Sequence, residues 1–427
     1  ALTLRQAGRV SQLQGKPEEA LPAFVQSRDL LSSLSKKNTE STDILYELGN
    51  AEFYIGNFYL SQGDFARARP AFEKNHEITG QLLQIDPDNP EWMMERSYSH
   101  NNLAAVQLQS GTGVDEASLA HMQQAIDLIE RVMLMVPDKT VYSSHYATTL
   151  AWAADAQSQA CNLENAMVLR QKALQLAETL SISDPGDNDL KRRYAYAISG
   201  VSSIQTKTGQ TGLAEQNLEL VISILEQLSA ADPSNILYPQ EIAYRQFRLA
   251  RLMAANGRLE EAAALMSALE SKIGMESGLA EQNEEMRHAS IDFHLAFAKI
   301  NYQSGDKDGA NLQLQKALQL QKDSSGPGVQ GHSGQARLEE MRFQWWEING
   351  EEGLAAFPVK PAPGSLNTGG LISCEDALST AKEFVIKGEP DRAVVSVRYL
   401  QERGYADPAF IRFCTKYGLC PGESVTL

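Results

Sequence analysis

Small and large side chains recur along this chain at a nearly constant interval. Seven positions set the frame, six of them glycines followed by a charged or polar residue and one a cysteine: Gly15, Gly63, Gly111, Cys161, Gly209, Gly257 and Gly305. The steps between them are 48, 48, 50, 48, 48 and 48 residues. An interval this regular predicts an array of equivalent structural units.

Two further columns of residues keep the same register. Seven residues before each of these positions lies a small side chain, in the order Gly8, Gly56, Ala104, Ala154, Ser202, Ala250 and Ala298. Nine residues after it, counting from Gly113 in the third unit, lies a large apolar side chain in every unit but the fourth, in the order Phe24, Phe72, Met122, Arg170, Leu218, Met266 and Leu314. Small residues allow two helices to approach closely, so each unit is predicted to be a helix, a tight turn and a second helix.

Prolines are predicted to end the second helix of several units. They occur in the dipeptides Asp86-Pro87, Val136-Pro137, Asp184-Pro185 and Asp232-Pro233, 24 residues after the predicted turns. Proline lacks a backbone donor and restricts the residue before it, so helices stop there. The spacing leaves room for helices of about 20 residues and about 30 Å.

The motif Ile55-Gly56-x-x-Tyr59, with Ala68-x-x-x-Phe72 and the later Pro87, resembles the tetratricopeptide repeat signature. The resemblance implies an all-α fold, a right-handed superhelical solenoid of antiparallel helix pairs. The segment DPDNPEWMMERSYSHNNL is similar to a bacterial branch of the family with a long, 48-residue period. Members of that branch often place the array after a membrane span, behind a kinase or winged-helix domain.

The pattern divides the chain into three parts. Residues 1–320 are predicted to form about seven helix pairs, and residues 321–372 a loop, one helix and a Pro/Gly linker. Residues 373–427 restart the spacing at Ala381, Gly388 and Ala393, which predicts a short helical cap. Because seven residues precede Gly8, the first helix begins abruptly, and we expect the biological polypeptide to continue upstream.

Charge and hydropathy restrict the partners. The formal net charge is -16 and the pI is near 5.0, so the chain is predicted to repel nucleic acid and anionic lipid. No run of 18 apolar residues occurs, which predicts no membrane insertion of this segment. The compartment stays open: periplasmic if the array follows a membrane span, and otherwise cytoplasmic.

Four cysteines leave two redox states open. A disulfide between Cys374 and either Cys414 or Cys420 would fasten the cap in an oxidising compartment. Reduced thiols fit the sequence equally well, and no CxxC pair indicates a zinc site.

Catalytic motifs are not apparent in the sequence. The segment GPGVQG at 326–331 matches the dinucleotide fingerprint formally, but it follows a predicted helix rather than a strand. The sequence contains no phosphate-binding loop, no HExxH and no histidine pair at i, i+4 spacing. We therefore expect no enzymatic activity, no cofactor and no metal.

The predicted function is binding. First helices of such arrays line the concave wall, so their side chains form columns across successive units. The candidate groove residues are Arg5, Arg9, Asn57, Tyr98, Asn101, Asn102, Tyr196, Tyr244 and Arg251. We expect a protein-protein interaction scaffold or sensor region of a larger bacterial signalling protein, with a protein or peptide ligand in this groove. The alternative is a structural spacer or oligomerisation module for an upstream effector domain, in which case the chain forms a homo-oligomer.

Overall fold

The computed structural model describes residues 1–13, 16–110, 113–137, 139–235, 237–274, 284–322, 332–355, 357 and 371–420. These residues form helices joined by turns, with no strand among them, which confirms the all-α prediction. The chain forms two compact units, Ala1–Ala156 and Gln157–Leu427. The three-part division expected from the sequence stays a prediction.

Unit 1 contains three helix pairs and most of a seventh helix. The helices are α1 Leu2–Leu13, α2 Pro17–Lys37, α3 Thr42–Ser61, α4 Phe65–Ile85, α5 Pro90–Gln109, α6 Glu116–Met135 and α7 Thr140–Gln159. The last of these ends in unit 2. Consecutive helices pack as antiparallel pairs, in which α1, α3 and α5 are first helices and α2, α4 and α6 are second helices.

Unit 2 continues the alternation and then changes to shorter helices. Its helices are α8 Leu163–Ser183, α9 Asn188–Lys207, α10 Thr211–Ala231, α11 Leu237–Ala255, α12 Leu259–Gly274, α13 Glu284–Gln303, α14 Lys307–Lys322, α15 His332–Ala355, α16 Cys374–Ile386, α17 Pro390–Glu402 and α18 Pro408–Lys416. Helix α15 is kinked at Gly350, where φ is 69°. None of the helices in the described ranges has both the length and the apolar character needed to cross a membrane.

The tight turns lie where the sequence places them. The turn residues Gly63, Gly209, Gly257 and Gly305 have φ between 70° and 89°. Cys161, at the turn of the fourth sequence repeat, adopts φ 59°. It is the one non-glycine residue with positive φ in the described ranges. The left-handed region costs glycine little, which explains its use at this position. Gly15 and Gly111 lie outside the described residues.

The small and large columns of the sequence meet in the core. A Cβ atom on Gly56 would lie 2.7 Å from the ring of Phe72, and one on Gly8 would lie 2.6 Å from the ring of Phe24. Both phenylalanines are fully buried. Arg170 departs from this arrangement, because its guanidinium lies against Gly200 of the following first helix. Second helices end at Ile85, Met135, Ser183 and Ala231, directly before the predicted proline breaks.

The C-terminal helices of unit 2 return to the turns of earlier pairs. The backbone N–H of Ala406 donates to the carbonyl of Lys207 over 2.8 Å. Arg412 donates to the carbonyl of Ala255 over 3.1 Å, and Arg403 donates to the side chain of Asn162 over 2.8 Å. Helices α17 and α18 and the turn between them therefore pack along the turns that follow α7, α9 and α11.

Because the C-terminal helices pack against these earlier turns, the cysteines pair differently from the prediction. Cys374 is bonded to Cys161, with 5.0 Å between the Cα atoms, and Cys414 is bonded to Cys420, with 5.2 Å. The predicted bridge from Cys374 to Cys414 or Cys420 is wrong. The first residue of α16 lies beside the turn after α7, a proximity created by tertiary packing that the spacing of the cysteines does not indicate.

Candidate functional site: the first-helix faces

In each unit, first helices of neighbouring pairs lie side by side and contact one another. In unit 1, Asn101 on α5 donates a hydrogen bond to Thr149 on α7 over 2.9 Å. In unit 2, Arg248 on α11 donates to the hydroxyl of Ser199 on α9 over 2.8 Å. We call the surface formed by α1, α3 and α5 the first-helix face of unit 1. The surface formed by α9, α11 and α13 is the first-helix face of unit 2.

Arg5 and Arg9 share one aromatic neighbour. Their guanidinium carbons lie 5.7 Å and 5.6 Å from the ring centroid of Tyr54, within the range of cation–π attraction. Arg5 also forms an ion pair with Glu47 on α3, whereas Arg9 is exposed. The structure thus brings these two predicted residues together and leaves Arg9 accessible.

Three asparagines of the predicted groove differ in their environment. Asn57 is half-exposed and makes no side-chain hydrogen bond to another described residue. Asn101 is 3% exposed, and its Oδ1 has no partner although its Nδ2 donates to Thr149. The Nδ2 of Asn102 is buried and also lacks a partner. Helix α5 therefore carries one free amide acceptor and one free amide donor.

Tyr98 packs edge to face against His145 on α7, with 5.0 Å between the ring centroids. Burial, followed by the negative charge of Glu95, raises the pKa of Tyr98 well above its usual value. The phenol therefore stays a neutral hydrogen-bonding group near neutral pH. This contact between neighbouring first helices is the packing role that long helices favour for a tyrosine column.

Glu95 is a partly buried carboxyl group that the sequence did not indicate as a site residue. It accepts a hydrogen bond from the hydroxyl of Tyr46 over 3.4 Å. Burial raises the pKa of Glu95 to about 7, and the positive charge of Arg5 opposes part of that rise. The Glu95 carboxyl therefore holds its proton to a higher pH than an exposed glutamate does.

In unit 2, Tyr196 contacts a carboxylate. Its hydroxyl donates to Glu241 on α11, and Arg192 lies 3.9 Å from the same carboxylate. Burial and then the hydrogen bond to Glu241 raise the pKa of Tyr196 to about 12. Glu241 is thus shared between a phenol and a guanidinium.

Arg245 joins the two predicted tyrosines of unit 2. Its guanidinium lies 5.0 Å from the ring centroid of Tyr244 and 5.7 Å from that of Tyr196. Tyr244 is 47% exposed. Arg251 is exposed too, and its guanidinium lies 5.8 Å from the ring of Phe247. Together these residues form an aromatic and basic patch on α11, of which Tyr244 and Arg251 were predicted from the sequence.

Unit 1 also contains a cluster of histidines from three helices. His100 and His121 lie with their Nδ1 atoms 2.8 Å apart, and the ring of His76 is 4.5 Å from that of His100. Sequence spacing did not indicate this cluster, because its members lie 24 and 21 residues apart on α4, α5 and α6. Within the described ranges, no group of three His, Cys, Asp or Glu residues is arranged to hold a metal ion.

Comparison with known proteins shows similarity in fold. No protein-family model matches this sequence, and no curated protein matches it. The crystal structure of the apo form of RapI is similar over 98% of this chain and 97% of its own, with a TM-score of 0.54 and 10% sequence identity.

Two further solved structures align over most of their length. A Rap protein complexed with competence and sporulation factor covers 96% of this chain and 98% of its own, with 11% identity and a TM-score of 0.49. The apo quorum sensor NprR from B. thuringiensis covers 92% and 99%, with 13% identity and a TM-score of 0.49. The described chain has a tetratricopeptide-like helical-repeat fold, as the sequence motif implied.

Proposed function

We propose that this chain is a peptide-binding or protein-binding scaffold whose ligand lies on the first-helix faces. Helical-repeat proteins use rows of equivalent helices as extended binding surfaces, and the candidate residues lie on those helices. An extended peptide presents backbone donors and acceptors along its whole length. Side-chain amides and guanidinium groups are suitable partners for them.

One observation carries this proposal. Buried polar atoms normally have hydrogen-bond partners, and those that lack one need an explanation. In the described residues such atoms occur on first helices, in Arg5 (Nε), Asn101 (Oδ1), Asn102 (Nδ2), Glu241 (Oε2) and Arg245 (Nε), and also on other helices, in Gln321, Arg337, Gln344 and Arg412. These atoms are buried, so a peptide that binds there and displaces neighbouring side chains would supply the absent partners, whereas a purely structural face would leave each of them at a cost of about 1 to 3 kcal/mol.

The biological setting we propose is the sensor or partner-binding part of a larger bacterial signalling protein, without catalytic activity of its own. The similarity of the segment around Trp92 and Tyr98 to the long-period bacterial repeats supports it. In that branch an output domain often precedes the array. Ligand binding on the first-helix faces would then be the input that such a domain receives.

Selection from a random peptide library tests the proposal. The chain, immobilised at its C terminus, should enrich peptides that bind with micromolar affinity, and Asn102→Ala should weaken that binding at least fivefold. Gln124→Ala is the matched control, because Gln124 is an exposed amide on the second helix α6. Binding that responds equally to both changes would contradict the proposal. Light scattering that shows a stable dimer, together with no enriched peptide, would favour the spacer alternative.

A further inference from the structure

Three arginines follow one another along α11 at three-residue spacing. Arg245, Arg248 and Arg251 occur within the segment YRQFRLAR, in a chain whose net charge is -16. Three like charges close together repel one another unless a ligand or a carboxylate neutralises them. The hydrogen bonds and ion pairs of these three arginines therefore show whether the protein itself neutralises their charge.

Arg248 is bound to the protein but not to a carboxylate. Its guanidinium donates to the hydroxyl of Ser199 over 2.8 Å and to the carbonyl of the same residue over 3.3 Å. Burial lowers the pKa of Arg248 to about 10, and repulsion from Arg245 and Arg251 adds to that effect. The hydroxyl and carbonyl of Ser199 fix the orientation of Arg248 without neutralising its charge.

Arg245 is held between two aromatic rings and has donors to spare. The rings of Tyr244 and Tyr196 lie within 6 Å of its guanidinium, and its Nε is buried without a hydrogen-bond partner. Aromatic contacts restrain a guanidinium while leaving its N–H groups free. The Arg245 side chain as a whole is partly exposed, so an acceptor that enters between the rings would find this donor unoccupied.

The charge of Glu241 acts on Arg245, but one oxygen of this carboxylate, Oε1, is shared with other groups. Glu241 accepts from the hydroxyl of Tyr196 and lies 3.9 Å from Arg192. Among the described residues, none of the three arginines of α11 forms an ion pair with a carboxylate. The positive charge on this part of the first-helix face of unit 2 therefore exceeds the negative charge.

We propose that Arg245, Arg248 and Arg251 form a site for the carboxylates of an acidic peptide segment. This inference rests on the proposed function and names the ligand class. Successive arginines of the trio are about 4.5 Å apart along the helix axis, so the set spans about 9 Å. Alternate residues of an extended peptide are about 6.6 Å apart, so two acidic side chains fit within that span. A single small anion would reach one or two of the arginines.

Fluorescence anisotropy with a labelled hexaglutamate peptide tests the inference. We expect binding that weakens at least tenfold when the salt is raised from 50 to 300 mM, because the contacts are charge-assisted. Hexaglutamine should bind at least tenfold more weakly. Arg245→Gln and Arg251→Gln should each reduce hexaglutamate affinity at least fivefold, and Arg251 is exposed, so its replacement leaves the core intact.

The matched control is Arg398→Gln, which removes one exposed positive charge from α17. Equal loss of affinity in this control and in Arg251→Gln would overturn the inference. So would displacement of hexaglutamate by an equal concentration of inorganic phosphate, which would identify a site for free phosphate. A different result would overturn the acidic ligand class alone: library peptides whose binding is weakened by Asn102→Ala but unaffected by the arginine substitutions and by competing hexaglutamate. The proposed function would then still stand.

Discussion

The disulfide between Cys161 and Cys374 joins the turn after α7 to the first residue of α16, 213 residues further along the chain. Cys161 has positive φ in a turn where the neighbouring sequence repeats have glycine, Gly113 and Gly209. The bond, the hydrogen bond between Arg403 and Asn162, and the buried cluster around both cysteines hold the C-terminal helices against the turns of unit 2. Cys161 thus has two roles: it forms the turn between α7 and α8, and it bonds the C-terminal helices to the rest of unit 2.

Removal of this bond should destabilise unit 2. A crosslink that closes a loop of this length stabilises a protein by about 2 to 5 kcal/mol, chiefly by restricting the unfolded chain. We expect Cys374→Ser to lower the midpoint of thermal unfolding by about 5 to 15 °C, measured by circular dichroism. Peptide mapping under non-reducing conditions should recover Cys161 linked to Cys374.

The bond between Cys414 and Cys420 provides the comparison, because only 6 residues separate its two cysteines. Its loss should cost about 2 kcal/mol or less. A larger loss of stability for Cys420→Ser than for Cys374→Ser would contradict the inference that the bond between Cys161 and Cys374 stabilises unit 2.

The helix contact at Ala250 should tolerate no larger side chain. Ala250 and Met266 are fully buried in the same hydrophobic cluster. Ala250→Leu should therefore overfill the contact and cost about 1 to 3 kcal/mol in urea unfolding. Ala264→Leu is the control, because Ala264 is exposed on α12. A neutral result at Ala250 would show that the register of the helix pair is wrong.

Local rules explain what the sequence could predict. Gly63 and Gly209 mark left-handed turns because few other residues adopt that conformation readily, and Gly56 marks a close helix contact because Phe72 fills the space beside it. The frame of helices follows from such positions. The candidate groove residues were likewise placed on first helices, although their role in binding stays a prediction.

Other features depend on tertiary contacts that no local pattern encodes. Arg170 occupies a column of large apolar residues, yet its guanidinium reaches Gly200 on the next first helix. The partner of Cys374 lies 213 residues away. Arg245 lies near two tyrosines, one of which comes from another helix, and its Nε has no hydrogen-bond partner. These relationships require the packed structure.

Glu95 should make unit 1 less stable as the pH rises. Its pKa is raised to about 7 in the folded state, so the folded protein holds a proton that the unfolded chain releases near pH 4.5. The associated stability is present below pH 4.5 and is lost as the pH rises through about 7. Glu95→Gln should gain about 1 to 3 kcal/mol relative to wild type at pH 8 and little at pH 5, measured by urea unfolding.

The control for this prediction is Glu73→Gln, which removes an exposed carboxylate of α4. Its replacement should change the stability by about 0.5 kcal/mol or less, because the side chain is exposed. An identical pH response of Glu95→Gln and wild type would show that the Glu95 carboxyl is ionised as in the unfolded chain.

The histidine cluster should make unit 1 less stable as the pH falls, which is the opposite of the effect of Glu95. Burial lowers the pKa of His76 to about 4 and that of His100 to about 3, with the positive charge of Arg96 adding to both shifts. Arg69 and Asp115 face His121 with opposite effects on its pKa, which burial lowers. The cluster is therefore neutral in the folded state at pH 7.

Stability from these imidazoles is present above pH 6.5 and is lost as the pH falls toward the folded-state pKa values. Between pH 7 and pH 4.5, wild type should lose about 2 kcal/mol more than His100→Gln, in parallel urea titrations. Equal losses in the two proteins would contradict the burial of His100 as a neutral group.

Hydrogen–deuterium exchange of the whole chain, with and without a peptide selected from the library, tests the central claim most directly. If the ligand lies on the first-helix faces, amides of α3 and α5 or of α9 and α11 should exchange several-fold more slowly when the peptide is bound. Amides of the second helices α4, α6, α10 and α12 should change little. Protection confined to the second helices would contradict the account.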